Sequence, residues 1–114
     1  NSTGISQVQM LKKTPSGMAT AATASLTDTV QFYASYRSTS SNPKVSGTLQ
    51  IINGGQVVQS FPGREAILGR CNVFLVELHW EPSDAKYTGR NIARLIVKID
   101  EHEFISSGEF TLMR

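Results

Sequence analysis

At 114 residues the chain has room for one hydrophobic core and not for two. Charged residues make up 18% of it and the formal net charge is +2, too small to imply a nucleic-acid partner, so none is expected. Ser, Thr, Gly and Asn stand where charges usually do, which suits an all-β, loop-rich domain, and no run approaches the ~20 apolar residues of a membrane span.

Ile5 to Lys13 alternates loosely, and Thr14-Pro15-Ser16-Gly17 breaks it. Residues 1–17 therefore read as an N-terminal arm or first strand, and residues 18–114 as a single β-sandwich domain. Asn1-Ser2-Thr3 matches a glycosylation acceptor pattern, which carries little meaning at a chain end that begins without Met and reads as part of a longer protein. Met18 to Thr29 is rich in Ala, Thr and Ser, with no apolar recurrence at helical spacing; its composition permits a linker or a strand of small side chains, and it is assigned a strand. From Thr29 to Arg37, Val30, Phe32, Ala34 and Tyr36 share one face, predicting a half-buried strand with Tyr33 on the opposite, exposed side.

Ser38 to Lys44, with Asn42-Pro43, is a polar loop. Val45 to Ile52 and Gln56 to Phe61 flank Asn53-Gly54-Gly55, the strongest hairpin signal in the chain, because the turn positions must tolerate positive φ. Pro62-Gly63 ends the second strand, and Arg64 to Arg70 leads across to the next. Cys71 to Trp80 reads as a central strand, with Phe74, Val76, Leu78 and Trp80 on one face and Val73, Leu75, Glu77 and His79 on the other. Glu81 to Asn91 is long for a hairpin connection, so it either crosses between sheets or carries function. Ile92 to Ile99 is a strand with Ala93, Leu95, Val97 and Ile99 inward and Arg94 and Lys98 outward. Asp100 to Glu103 turns the chain, and the return strand runs from Phe104 to Leu112 with a bulge or bend expected at Gly108.

Seven to eight short strands, turn chemistry between them and no helical period predict an all-β, two-sheet antiparallel sandwich. The closing segment, a strand, an acidic turn and a strand ending Gly108-Glu109-Phe110-Thr111-Leu112, resembles the final hairpin of immunoglobulin-like domains. That resemblance implies an immunoglobulin-like sandwich. The chain departs from true immunoglobulin domains in having one Cys, no Cys/Trp/Cys spacing, and Asp84, Tyr87 and Gly89 in the wrong order for the tyrosine corner.

Chemistry is sparse. Cys71 is alone, so no internal disulfide forms, which suits a reducing compartment or a core that suffices without one. His79 lies beside Glu77 without metal-ligand spacing, and Glu77 faces Arg94 or Lys98 if those strands pair. Asp100, Glu101 and Glu103 around His102 lack the glycine-shaped loop of a calcium site. No nucleophile elbow or phosphate loop is present, so no enzyme activity, metal or cofactor is expected.

Binding is the better class. Tyr87, Arg90, Tyr33 and Trp80 form the candidate set, because aromatic and Arg side chains anchor interfaces and stack on sugars. The first 60 or so residues hold few of the Lys and Pro residues that block sheet edges. These features predict a non-catalytic interaction or assembly module of a larger surface, envelope or particle protein, which favours an extracytoplasmic or particle-surface location. Its partner is another protein or a copy of itself, held through a sheet edge or the 81–91 loop. The alternatives are a carbohydrate-binding module and, more remotely, a small hydrolase or metal protein.

Overall fold

The computed structural model describes residues 3–63, 66–67 and 71–114, and for residues 66–67 and 71–79 it describes the backbone. Eleven strand segments follow in order: β1 (Gly4–Ile5), β2 (Gln9–Thr14), β3 (Gly17–Thr20), β4 (Thr23–Ser25), β5 (Val30–Arg37), β6 (Lys44–Asn53), β7 (Gln56–Phe61), β8 (Ala66–Ile67), β9 (Cys71–Trp80), β10 (Gly89–Ile99) and β11 (His102–Met113). One 3-10 turn, Ala85–Tyr87, lies between β9 and β10. The arrangement is the expected all-β sandwich of two sheets.

In the first sheet β5 is flanked by β9 on one side and by β1 and then β2 on the other, with β3 beyond β2. The second sheet runs β4, β11, β10, β6, and then β7 and β8 in succession along the far side of β6. All pairings are antiparallel except β4 with β11.

The inward rows follow the period of two. Val30, Phe32, Ala34 and Tyr36 of β5 face Val45, Leu49 and Ile51 of β6, Ala93, Leu95, Val97 and Ile99 of β10, and Phe110 and Leu112 of β11 across one buried layer. Each fully buried Leu, Ile, Val or Phe contributes about 1.5–3 kcal/mol relative to exposure, whereas a cross-strand surface pair contributes about 0.2–1. The inward rows therefore fix the register, since a slip by one residue would turn all of them to solvent.

β9 is a correction to the sequence reading. Among the described residues it pairs only with β5, from Val30↔Trp80 to Arg37↔Cys71, and so borders the first sheet. β10, between β11 and β6, holds the middle of the second. Apolar alternation on both faces reports what covers a strand above and below, and is silent about how many neighbours hydrogen-bond to its sides. The side chains of Cys71 to His79, on which the two-faced reading of this strand rested, lie outside the described residues, as do Asn1-Ser2 and most of Arg64 to Arg70.

Three further differences have local causes. The Ala/Thr stretch forms two short strands in different sheets: β3 pairs with β2, Ala21 N–H donates to Met10 O, Thr111 N–H donates to Ala22 O, and β4 joins β11. The 53–55 turn has Gly54 (φ 60°) and Gly55 (φ 78°) at its centre, while Asn53 pairs with Gln56 as the last strand residue. The acidic turn is equally tight, Asp100 (φ 51°) and Glu101 (φ 70°) joining paired Ile99 and His102. Left-handed non-glycine backbone costs about 1–2 kcal/mol per residue. The Asp100 carboxylate offsets this by accepting from Lys44 N–H (3.0 Å) and Ser38 Oγ (3.3 Å), bonds to a charged group contributing about 1.5–3 kcal/mol each.

Gly108 sits in regular register opposite Ala93, without the expected bulge. A Cβ there would collide with the Val8 carbonyl, because residues 6–8, still bonded at Ser6 to Ser35 of β5, lie along β11. Val8 N–H donates to Ser107 O (3.3 Å), and Ser106 Oγ donates to Ser6 O (2.5 Å). Gly108→Ala is expected to cost about 1–3 kcal/mol by overpacking rigid backbone and to release residues 4–8 from β11. Urea unfolding with amide exchange at Val8 checks this; unchanged stability and exchange would exclude the contact as the reason for glycine.

Candidate functional site

The 81–91 connector is fastened at every turn. Ser83 N–H donates to Leu26 O (2.8 Å), and Asp84 Oδ1 caps the 3-10 turn by accepting from Lys86 N–H (2.9 Å). At its end Asn91 is fully buried on the inward row of β10; its Nδ2 donates to Tyr87 O (2.9 Å) and Gly89 O (3.1 Å), and its Oδ1 accepts from Asn53 Nδ2 (2.9 Å). Asn53 Nδ2 also donates to Thr88 O (3.2 Å). Two amides thus tie connector, hairpin and strand together.

Two of the four candidate binding residues are built into the core. Trp80 (8% exposed) meets Phe32 at 6.0 Å, Phe61 at 5.3 Å and Tyr87 at 5.0 Å between ring centroids, and Tyr87 is 4% exposed with Lys86 Nζ 5.1 Å from its ring centre. These rings plug one end of the sandwich and offer no face to a sugar, which leaves Tyr33 as the one aromatic of the carbohydrate reading on an outer face. The connector folds inward because its aromatic, Tyr87, buries edge-on against the Trp80 ring, a larger gain than exposure to solvent.

Arg90 stands on the outer face of the second sheet, its guanidinium donating to Glu109 Oε1 (3.0 Å). That hydrogen bond, and then the carboxylate's charge, raise the Arg90 pKa above its ordinary value. The same face carries Arg94, whose Nε and Nη2 donate to Gln50 Oε1 (3.0 and 2.6 Å), and Lys98, opposite Glu103. Exposed Ile92, Ile105 and Val57 separate these charges. Glu77 is not across from Arg94 or Lys98: β9 and β10 belong to different sheets, and the backbone register puts Glu77 beside Phe32.

Tyr33 lies half-buried on the outer face of the first sheet, while Tyr36 on the same strand is core. Its hydroxyl donates to Gln9 Oε1 (2.7 Å) of the directly paired β2 residue. Around it the outer rows bring together Gln31, Ser35 and Arg37 of β5 with Gln9, Leu11 and Lys13 of β2. Arg37 and Lys13 are exposed and form no ion pair among the described residues. Sequence reasoning singled out Tyr33 and not its companions, because nothing local says that residues 9 and 33 are neighbours. His102 is exposed, and no group of three or more His, Cys, Asp or Glu side chains converges among the described residues.

No family model and no curated protein matches the chain. Among solved structures it is similar to the Pseudomonas fluorescens alkylpurine DNA glycosylase AlkC bound to DNA containing an abasic site analog. The TM-score is 0.59 and the identity 19%, over 98% of this chain and 30% of that one. Two expectations are corrected by this finding. A fold that recurs, over almost the full length of this chain, in a DNA-bound glycosylase no longer argues for an assembly module of a surface, envelope or particle protein, and it removes the ground for setting nucleic acid aside as a partner. A net charge of +2 is an average over the whole chain and does not say how its cations are placed on any one face.

Proposed function

We propose that this chain is a DNA-contacting β-sandwich module of a protein that acts on nucleic acid. The observation that carries the reading is the likeness of nearly the whole chain to part of a DNA glycosylase solved with DNA. Exposed Arg and Lys side chains on both outer sheet faces support it, since cations on a flat surface bind phosphates without sequence preference. The sandwich is read as immunoglobulin-like, which two mainly antiparallel sheets in a domain of this size support. In this reading the chain contributes contact with the nucleic acid, and no catalytic step is assigned to it.

Fluorescence anisotropy with labelled DNA tests the proposal. Engagement of two phosphates predicts that affinity falls roughly ten-fold between about 50 and 200 mM salt. Absence of binding to any DNA at the lower salt would sink the reading.

A further inference from the structure

Resting on that reading, we infer that the outer face of the first sheet is the DNA-contacting surface and that its ligand is a single strand. Along β5 and β2 the face presents Arg37, Ser35, Tyr33 with Gln9, then Gln31, and finally Lys13. Lys13 follows the Lys12↔Val30 pair and so lies level with residue 29. At ~3.3 Å per residue the two cations are roughly 26 Å apart with Tyr33 midway. That length matches about eight nucleotide spacings at the ~3.4 Å rise of a stacked strand, with a phosphate contact at each end and an aromatic ring between them.

Three observations select this face over the outer face of the second sheet. Neither Arg37 nor Lys13 forms an ion pair among the described residues, and the acids nearest Lys13 already accept hydrogen bonds. Asp28 accepts from Ser25 N–H (2.8 Å), and Glu81 accepts from Thr29 Oγ1 (3.3 Å). On the other face Arg90 is tied to Glu109 and Lys98 faces Glu103. Secondly, Tyr33 supplies a ring for a base to stack on, and its bond to Gln9 holds that ring across two strands. The outward positions of β6, β10 and β11 contain no aromatic residue fit for that task, Phe104 packing against the core. Thirdly, shape excludes groove reading: four strands at ~4.8 Å spacing make a sheet wider than the ~12 Å major groove admits. A base reaches Tyr33 only where it is unstacked from a partner, which is a property of single strands.

The test compares a labelled mixed-sequence oligonucleotide of about 20 nucleotides with its duplex, by anisotropy, against the intact chain and four variants. The single strand is expected to bind more tightly than the duplex. Tyr33→Ala is expected to weaken it roughly ten-fold, and Tyr33→Phe, which keeps the ring, to bind nearly as the parent does. The double variant Lys13→Ala/Arg37→Ala is expected to flatten the slope of log affinity against log salt by about 1.4. Arg94→Ala/Lys98→Ala is expected to change neither quantity. Circular dichroism of each variant confirms folding; should Tyr33→Ala unfold, the cation variant decides by itself. DNA binding that survives Tyr33→Ala and the loss of both cations, or that prefers duplex, overturns this assignment and leaves the wider DNA reading standing. Failure of the parent chain to bind either oligonucleotide overturns both.

Discussion

Trp80→Ala is expected to lower the unfolding free energy by about 3–5 kcal/mol, a large part of the 5–15 typical of a small domain. Trp80 is the hub of the aromatic plug, touching Phe32 from β5, Phe61 from β7 and Tyr87 from the connector. Phe32 in turn meets Phe110 of β11 at 5.0 Å. Removal of the indole leaves a cavity whose walls belong to both sheets and cannot close without moving paired strands, so the cost lies toward the upper end of the range. Trp80→Phe keeps part of the contact and is expected to lose less than half as much. Chemical denaturation monitored by far-UV circular dichroism measures both; a loss under about 1.5 kcal/mol for the alanine variant would mean that the rings do not form a common core.

Asn91→Leu, nearly isosteric, is expected to destabilise by about 2–4 kcal/mol in spite of its greater hydrophobicity. The substitution strips the Tyr87 and Gly89 carbonyls of their donor and leaves Asn53 Nδ2 without one of its acceptors. Each buried polar group left unsatisfied costs about 1–3 kcal/mol, against the roughly 1.5–3 gained by burying a leucine side chain, so the polar losses prevail. A double-mutant cycle with Asn53→Ala isolates the amide–amide bond, and hydrogen exchange at Tyr87 and Thr88 reports release of the connector. Equal or higher stability of Asn91→Leu would show that these carbonyls find water instead.

The inward rows of β5, β6, β10 and β11 were legible because a period of two, rich in β-branched and aromatic residues, admits one burial pattern only. Edge and centre were not, since hydrogen-bonded neighbours leave no mark on a strand's own alternation; β9 is the instance. Trp80 and Tyr87 were ambiguous for a related reason: an aromatic near a long connection has the same composition whether it turns inward or out. Asn91 did carry a signal, as it continues the inward row of Ala93, Leu95, Val97 and Ile99, where an amide survives only if its bonds are met. The proposed DNA surface was hidden most completely, because Arg37, Tyr33 and Lys13 come together through strand register, a property of two segments at once.

The bridge of residues 6–8 to β11 bears on how this protein is made. Ser6 meets Ser106, and β4 waits for residues 111–113, so the sheets cannot be sealed while residues 106–113 are still inside the ribosome. Closure therefore has long loops to search and is slow relative to helical domains of the same size. Until then the amino-terminal strands lack their partners, and their open edges are the part of this fold most exposed to mispairing.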